Sequence, residues 1–416
     1  MSDRPGIPRS FWIQLSWLLL LFALLAMLTV SGKLPVDMKP YFTVKQRLQQ
    51  GKPMYPTVAE SQKRWSYIHV SASNHGKTGK KAAIKPGPYV YPPSLGLWLK
   101  RLGLPPLLYL FLLFSSLFAF AWLWKQQLQP EYWGWGALVV FSWDVVSSLT
   151  GGNIELMLLT AGIFACWFLW KGKPWWAIPL IAFTVLCKPF YAFLYAAFCL
   201  LWLAQHERWK QALQWTVLAG IGSWVLIGLD VWSWGASLQQ QAWTYLSQAL
   251  EHQWMSLPIA QQSPMSGWNR SLMQGLVLLH IPARTAQILS LAVWVFLLGL
   301  AIWRIRNKPQ SFSWLLATAM VLFYWGRPVT WGMPLLEILI LTALWNELSE
   351  KRRVWLKRAA WTLIASHWLA VVAVFVTSYP LLLTLQTASF PWETWLLLPS
   401  CLILLLWNRA EPQPRS

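Results

Sequence analysis

Residues 175–204 read WWAIPLIAFTVLCKPFYAFLYAAFCLLWLA, an apolar run broken only by Lys188-Pro189. As one helix it would be roughly 45 Å long, at about 1.5 Å per residue. Two full crossings need about 60 Å, since the hydrocarbon core is about 30 Å thick. Both flanks are basic, so both belong on the same, cytoplasmic side of a bilayer. The spacing therefore predicts two short helices that turn near Lys188-Pro189, toward the outer side of a protein interior. Broken helices are tolerated at membrane depth where they line a cavity.

Further spans read as 11–30, 105–124, 133–149 and 154–170 before this run. After it come 213–229, 285–303, 312–326, 333–346, 361–377 and 392–407. The short loops that fall inside carry the positive charge, among them Lys125, Lys171, Arg304, Arg306, Lys308 and the Lys351–Arg358 cluster. That alternation places both termini in the cytoplasm and makes the chain a multi-pass protein of the cell membrane. Residues 31–101 form a first outer loop, long enough for the charge rule to lose force, and 230–284 form a second, with interfacial helices expected in it. The expected architecture is an all-α bundle of about 11–13 membrane helices in one integral domain spanning 1–416. No internal repeat is evident.

Composition agrees. The chain of 416 residues is 56% hydrophobic and 12% charged, where a soluble domain carries about 25% charged residues. Its 34 Trp suit interfacial anchoring, and a few near outer helix ends could stack on sugar rings. The net charge of +20 lies in loops and does not mark a nucleic-acid partner. Cys166, Cys187, Cys199 and Cys401 sit in apolar stretches without metal-ligand spacing and read as small core residues. The run 11–30 is long enough to span, and no small-residue cleavage motif ends it. SASNHGKTGKK (71–81) contains Gly-Lys-Thr, but Ser71 replaces the first Gly of a P-loop and no apolar strand leads in, so it reads as a solvated basic loop. Its lysines suit anionic head groups or an anionic acceptor.

Six segments share an order with a known family: VDMKPYFTVKQRLQQGKPMYP (36–56), YVYPPSLGLWL (89–99), GGNIELMLL (151–159), CKPF (187–190), GWNRSLMQGL (267–276) and GRPVTWGMP (326–334). Together they resemble the bacterial polyprenyl-phosphate-dependent mannosyltransferases of the glycosyltransferase-C superfamily. The likeness rests on an Asp after span one, a following Tyr, Gly-x-Pro-x-Tyr, Tyr-Pro-Pro, an Asn turn, a Lys-containing break, Asn-x-Ser-Leu and a late Pro–Trp segment. Gly152 stands where that family usually has Gln, Met333 or a neighbour where it often has His, and a basic insertion lies between Pro56 and Tyr89.

The resemblance implies metal-independent, inverting transfer of a hexose such as mannose, without a cofactor. The donor is a polyprenyl-phosphate sugar and the acceptor a lipid or glycan on the extracytoplasmic face. Such a displacement needs a carboxylate to take the acceptor proton and cations or hydrogen-bond donors for the leaving phosphate. Asp37, just beyond span one, is the candidate base. Lys188, Arg270 and Arg327 are the candidate phosphate ligands, and Lys39, Tyr41, Tyr91, Asp144, Asn153, Glu155, Asn269 and Trp331 are candidate lining residues. Lys188 beside Pro189 is expected to meet either the donor phosphate or a deep carboxylate, because an unpaired charge in lipid is costly. A transporter or flippase of a lipid-linked glycan, or a catalytically silent membrane scaffold, would share the spans and buried charges.

Overall fold

The computed structural model describes residues 9–35, 37–55, 92–127, 143–205, 209–249, 276, 281–307, 310–326, 335–347, 353–355, 357 and 358. Every regular element among them is a helix. In chain order these include α1 (Arg9–Val30), α2 (Met38–Gln49), α3 (Pro93–Arg101), α4 (Pro106–Gln127), α5 (Trp143–Gly151), α6 (Glu155–Trp170) and α7 (Pro174–Cys187). Then come α8 (Tyr191–Gln205), α9 (Trp209–Ser233), α10 (Ala236–Ala249), α11 (Ala283–Asn307), α12 (Phe312–Gly326) and α13 (Leu336–Glu347).

Residues 12–30, 106–125, 209–233 and 284–306, in α1, α4, α9 and α11, are long and apolar enough to cross a membrane. They expose large apolar side chains: Ile13 and Leu20 on α1, Phe111 on α4, Ile221 and Trp224 on α9, Ile288 and Phe296 on α11. In water such surface would drive aggregation; against lipid tails it carries no such penalty. By contrast, α6 and α12 are enclosed. From Trp314 to Tyr324 every side chain of α12 is buried, and α6 buries Leu156, Leu158, Leu159, Ile163 and Cys166. A wall of long helices around a core of short ones is the make-up of an α-helical membrane protein.

The short helices are arranged by their ends. Gly172, in the left-handed region at φ +67°, turns α6 into α7, and a Cβ there would lie 2.5 Å from the Trp215 ring. The chain breaks again at Lys188–Phe190, between α7 and α8, where the sequence requires it. Pro189 has no N–H to continue a helix, and the Lys188 N–H closes α7 on Thr184 O at 2.8 Å. At about 21 and 22 Å, α7 and α8 are each shorter than the hydrocarbon core. At one end of the bundle Trp170 packs on Trp202 and Phe312 at 6.5 and 5.8 Å, and Gln205 and Gln310 exchange hydrogen bonds. At the other end Tyr191 packs on Phe323 at 4.9 Å. Thus α6 and α8 run parallel, and α12 runs against them.

Among the described residues, the segment expected as a polar outer loop holds two helices. Helix α2 buries Met38, Tyr41, Phe42 and Val44, and α3 lays Trp98 over Phe183 of α7 at 5.7 Å. Helix α10 lies within the second expected outer segment. Helix α5 ends two residues beyond the expected 149, and α9 extends to Ser233, so Asp230 sits in its last turn. The expected spans 361–377 and 392–407, residues 133–142 of the expected span 133–149 and the loop 56–91 lie outside the described residues.

Candidate functional site

Asp37 links α1 to α2 from the N-cap position of α2, yet its side chain makes no capping hydrogen bond. The carboxylate instead accepts a hydrogen bond from the Asn153 side chain, and the Asp37 N–H donates to Gly151 O at 2.8 Å. Two glycines permit this approach. A Cβ on Gly151 would lie 2.9 Å from Asp37 Oδ2. Gly152 has φ +70°, and a Cβ there would lie 2.3 Å from Met38 Cγ. Glycine at 152 is therefore a packing requirement of this chain. Tyr109 secures the same turn, its hydroxyl donating to Gly152 O at 3.1 Å.

Asn153 serves two helices at once. Its Oδ1 accepts the Glu155 N–H at 2.9 Å, meeting one of the orphan donors that open α6, while its amide reaches Asp37. Glu155 occupies the first turn of α6, where the helix dipole favours negative charge. Its carboxylate pairs with the Lys188 ammonium and accepts from the Tyr191 hydroxyl at 3.2 Å. The Lys188 and Glu155 side chains are only 16% and 7% exposed, so this pair is held largely out of water. Of the two partners expected for Lys188, the deep carboxylate is the one found in this structure.

The starts of α2, α6 and α8 thus meet at one end of the bundle, and helix starts favour anions. Burial raises the Asp37 carboxyl above its ordinary value, with the Lys188 charge and the Asn153 hydrogen bond offsetting part of the rise. Asp37 nevertheless keeps some surface open. The result is a partly accessible carboxylate of raised basicity, close to an ammonium, at the rim of an apolar bundle.

The other candidates distribute as follows. Lys39 is half-buried in the first turn of α2. Tyr41 is in the core, its ring 6.0 Å from that of Tyr109, so it backs the glycine turn. Asp144 lies on α5, about two turns before Gly151. Tyr91, Asn269, Arg270, Arg327 and Trp331 lie outside the described residues.

Sequence reasoning missed Tyr191, Tyr109 and the approach at Gly151. The adjacent glycines at 151–152 were the available signal for a close backbone contact. It also missed Asp230, whose carboxylate accepts from Ser94 Oγ at 2.7 Å, Trp98 Nε1 at 2.9 Å and Trp234 Nε1 at 2.9 Å. No family model, curated protein or solved structure matches this chain.

Proposed function

We propose that this protein is a membrane glycosyltransferase that moves a sugar, a hexose such as mannose, from a polyprenyl-phosphate donor to a lipid or glycan acceptor. The observation that carries the reading is the meeting of Asp37, Asn153, Glu155, Lys188 and Tyr191 from separate helices at one end of an apolar bundle. The donor's lipid tail stays in the bilayer beside the exposed helices, and its head reaches this end. Asp37 accepts the acceptor hydroxyl proton as that oxygen attacks the anomeric carbon. The bond from that carbon to the phosphate oxygen breaks, and polyprenyl phosphate leaves with the electron pair. Attack opposite the leaving group inverts the anomeric configuration.

A raised carboxyl suits the role, since a general base works best when its pKa approaches the working pH. Lys188 and the helix starts supply positive potential for the leaving phosphate. The charge pattern of the loops orients this end extracytoplasmically in a cell membrane, with both termini inside. A flippase or transporter of a lipid-linked glycan is the second reading, favoured by the Lys188–Glu155 pair at a helix break.

The test is transfer of radiolabelled sugar from a polyprenyl-phosphate donor by purified protein. Asp37→Asn should fold and lower turnover by at least about 100-fold, the lower bound of typical general-base contributions. Glu60→Gln, at the other acid of the first loop, should leave turnover near normal. Near-normal transfer by Asp37→Asn would remove Asp37 as the base.

A further inference from the structure

We infer that Glu155 is a resting counter-ion for Lys188, which the phosphate of an incoming polyprenyl monophosphate or its glycosylated form displaces. The inference rests on the proposed donor reading and concerns what the same site does when empty.

Three observations lead to it. The Lys188–Glu155 pair is largely shielded from water, and a buried ammonium needs a negative partner. The pair sits at the only backbone break between α7 and α8, and Lys188 itself lies outside both helices. Its side chain can therefore swing without unwinding either. Finally, Glu155 has support that does not depend on Lys188. It receives the Tyr191 hydroxyl and stands in the first turn of α6, where the dipole stabilises its charge. Glu155 keeps the Tyr191 hydrogen bond and the helix-start field when Lys188 moves away, and Lys188, which also feels the Asp37 charge, trades the Glu155 contact for a replacement anion. A phosphate monoester is that replacement, and the starts of α2, α6 and α8 already favour its charge.

The internal carboxylate then competes with the ligand for one cation. Apparent affinity is reduced by the fraction of Lys188 held by Glu155. Removing the competitor without changing shape should strengthen binding.

The measurement is binding of a polyprenyl monophosphate to detergent-purified protein by calorimetry, with the uncharged polyprenol as control. Glu155→Gln should bind the phosphate at least about fivefold more tightly than wild type, the low end of typical site-to-site coupling. Polyprenol should bind both proteins alike. The near-isosteric double variant Glu155→Gln/Lys188→Gln, which buries no unpaired charge, should bind the phosphate more weakly than wild type. Equal or weaker phosphate binding by a cooperatively melting Glu155→Gln would overturn the inference while leaving the donor reading intact. Failure of wild type to bind the phosphate better than polyprenol would overturn both.

Discussion

Glu155 and Asp230 are both carboxylates in end turns of helices, and the same bundle treats them in opposite ways. Asp230 is held by a hydroxyl and two indoles, drawn from α3, from just beyond α9 and, through Trp98 stacked on Phe183, tied to α7. These donors are neutral and fixed by packing, so the arrangement clamps helices together. Glu155 is held by one tyrosine and by Lys188, a long flexible cation at a chain break. A cation on a mobile stem can change partners, whereas an indole stacked on a ring cannot. A carboxylate's donors thus separate an arrangement that fastens the fold from one whose cation is able to exchange partners.

The most forceful way to break this comparison is Lys188→Met. It leaves Glu155 buried without its cation, and breaking a buried pair costs about 3–5 kcal/mol. Thermal or SDS unfolding in detergent should show a loss toward the lower end, because Tyr191 still donates to Glu155. Adding Glu155→Leu should recover most of that stability, since apolar replacement of both partners is often neutral, while leaving transfer impaired. Failure to recover would mean that the pair is a fastening, like the Asp230 clamp.

Asp230→Asn should have a smaller effect on stability and one of a different kind. It removes the charge from three hydrogen bonds and turns an amide N–H₂ toward at least one of the donors, a loss of about 1–3 kcal/mol. Unfolding should register this. Phosphate binding by protein that remains folded should match wild type. A large change in phosphate affinity with unchanged stability would place Asp230 among the ligand-facing groups instead.

The subtlest test concerns pH. Burial raises the Asp37 carboxyl, and in its proposed role as general base it must be deprotonated to act. The acid limb of kcat/KM for transfer should therefore lie above the ordinary carboxylate range, with activity falling as pH drops through it. Lys188 and Asn153 both pull that carboxyl down. Removing either influence raises it further, so Asn153→Ala and Lys188→Gln should each move the limb to higher pH. The same changes near Asp230, in Ser94→Ala, should leave the limb in place.

The residues differ in how much of this was legible in advance. Helix positions and the α7–α8 break follow from apolar run lengths and from Lys188-Pro189, because lipid forces backbone groups to pair within a segment and proline cannot continue a helix. These are local constraints, and a linear reading captures them. The amphipathic helices α2 and α3 were harder. Their buried faces exist only because a bundle end is there to receive them, and their mixed composition reads equally well as loop. The ends of α5 and α9 shifted by two to four residues for a similar reason: contacts at Asn153 and Asp230 hold the last turns in place.

What the sequence by itself determined is the apolar helical character of the chain and the identity of several of its chemically unusual residues, among them Asp37, Asn153, Glu155 and Lys188. Each is a charged or amide side chain set against long apolar stretches, and such residues stand out without any coordinates. Only the tertiary structure decided who meets whom. It paired Lys188 with Glu155, carried Asn153 to Asp37 across more than a hundred residues of chain, and brought in Tyr191 and Tyr109 as unannounced partners. The physical reason is that ion pairs and hydrogen bonds act over a few ångströms. Which groups come that close depends on how helices pack against one another, and here on glycines 151 and 152 having no Cβ to keep them apart.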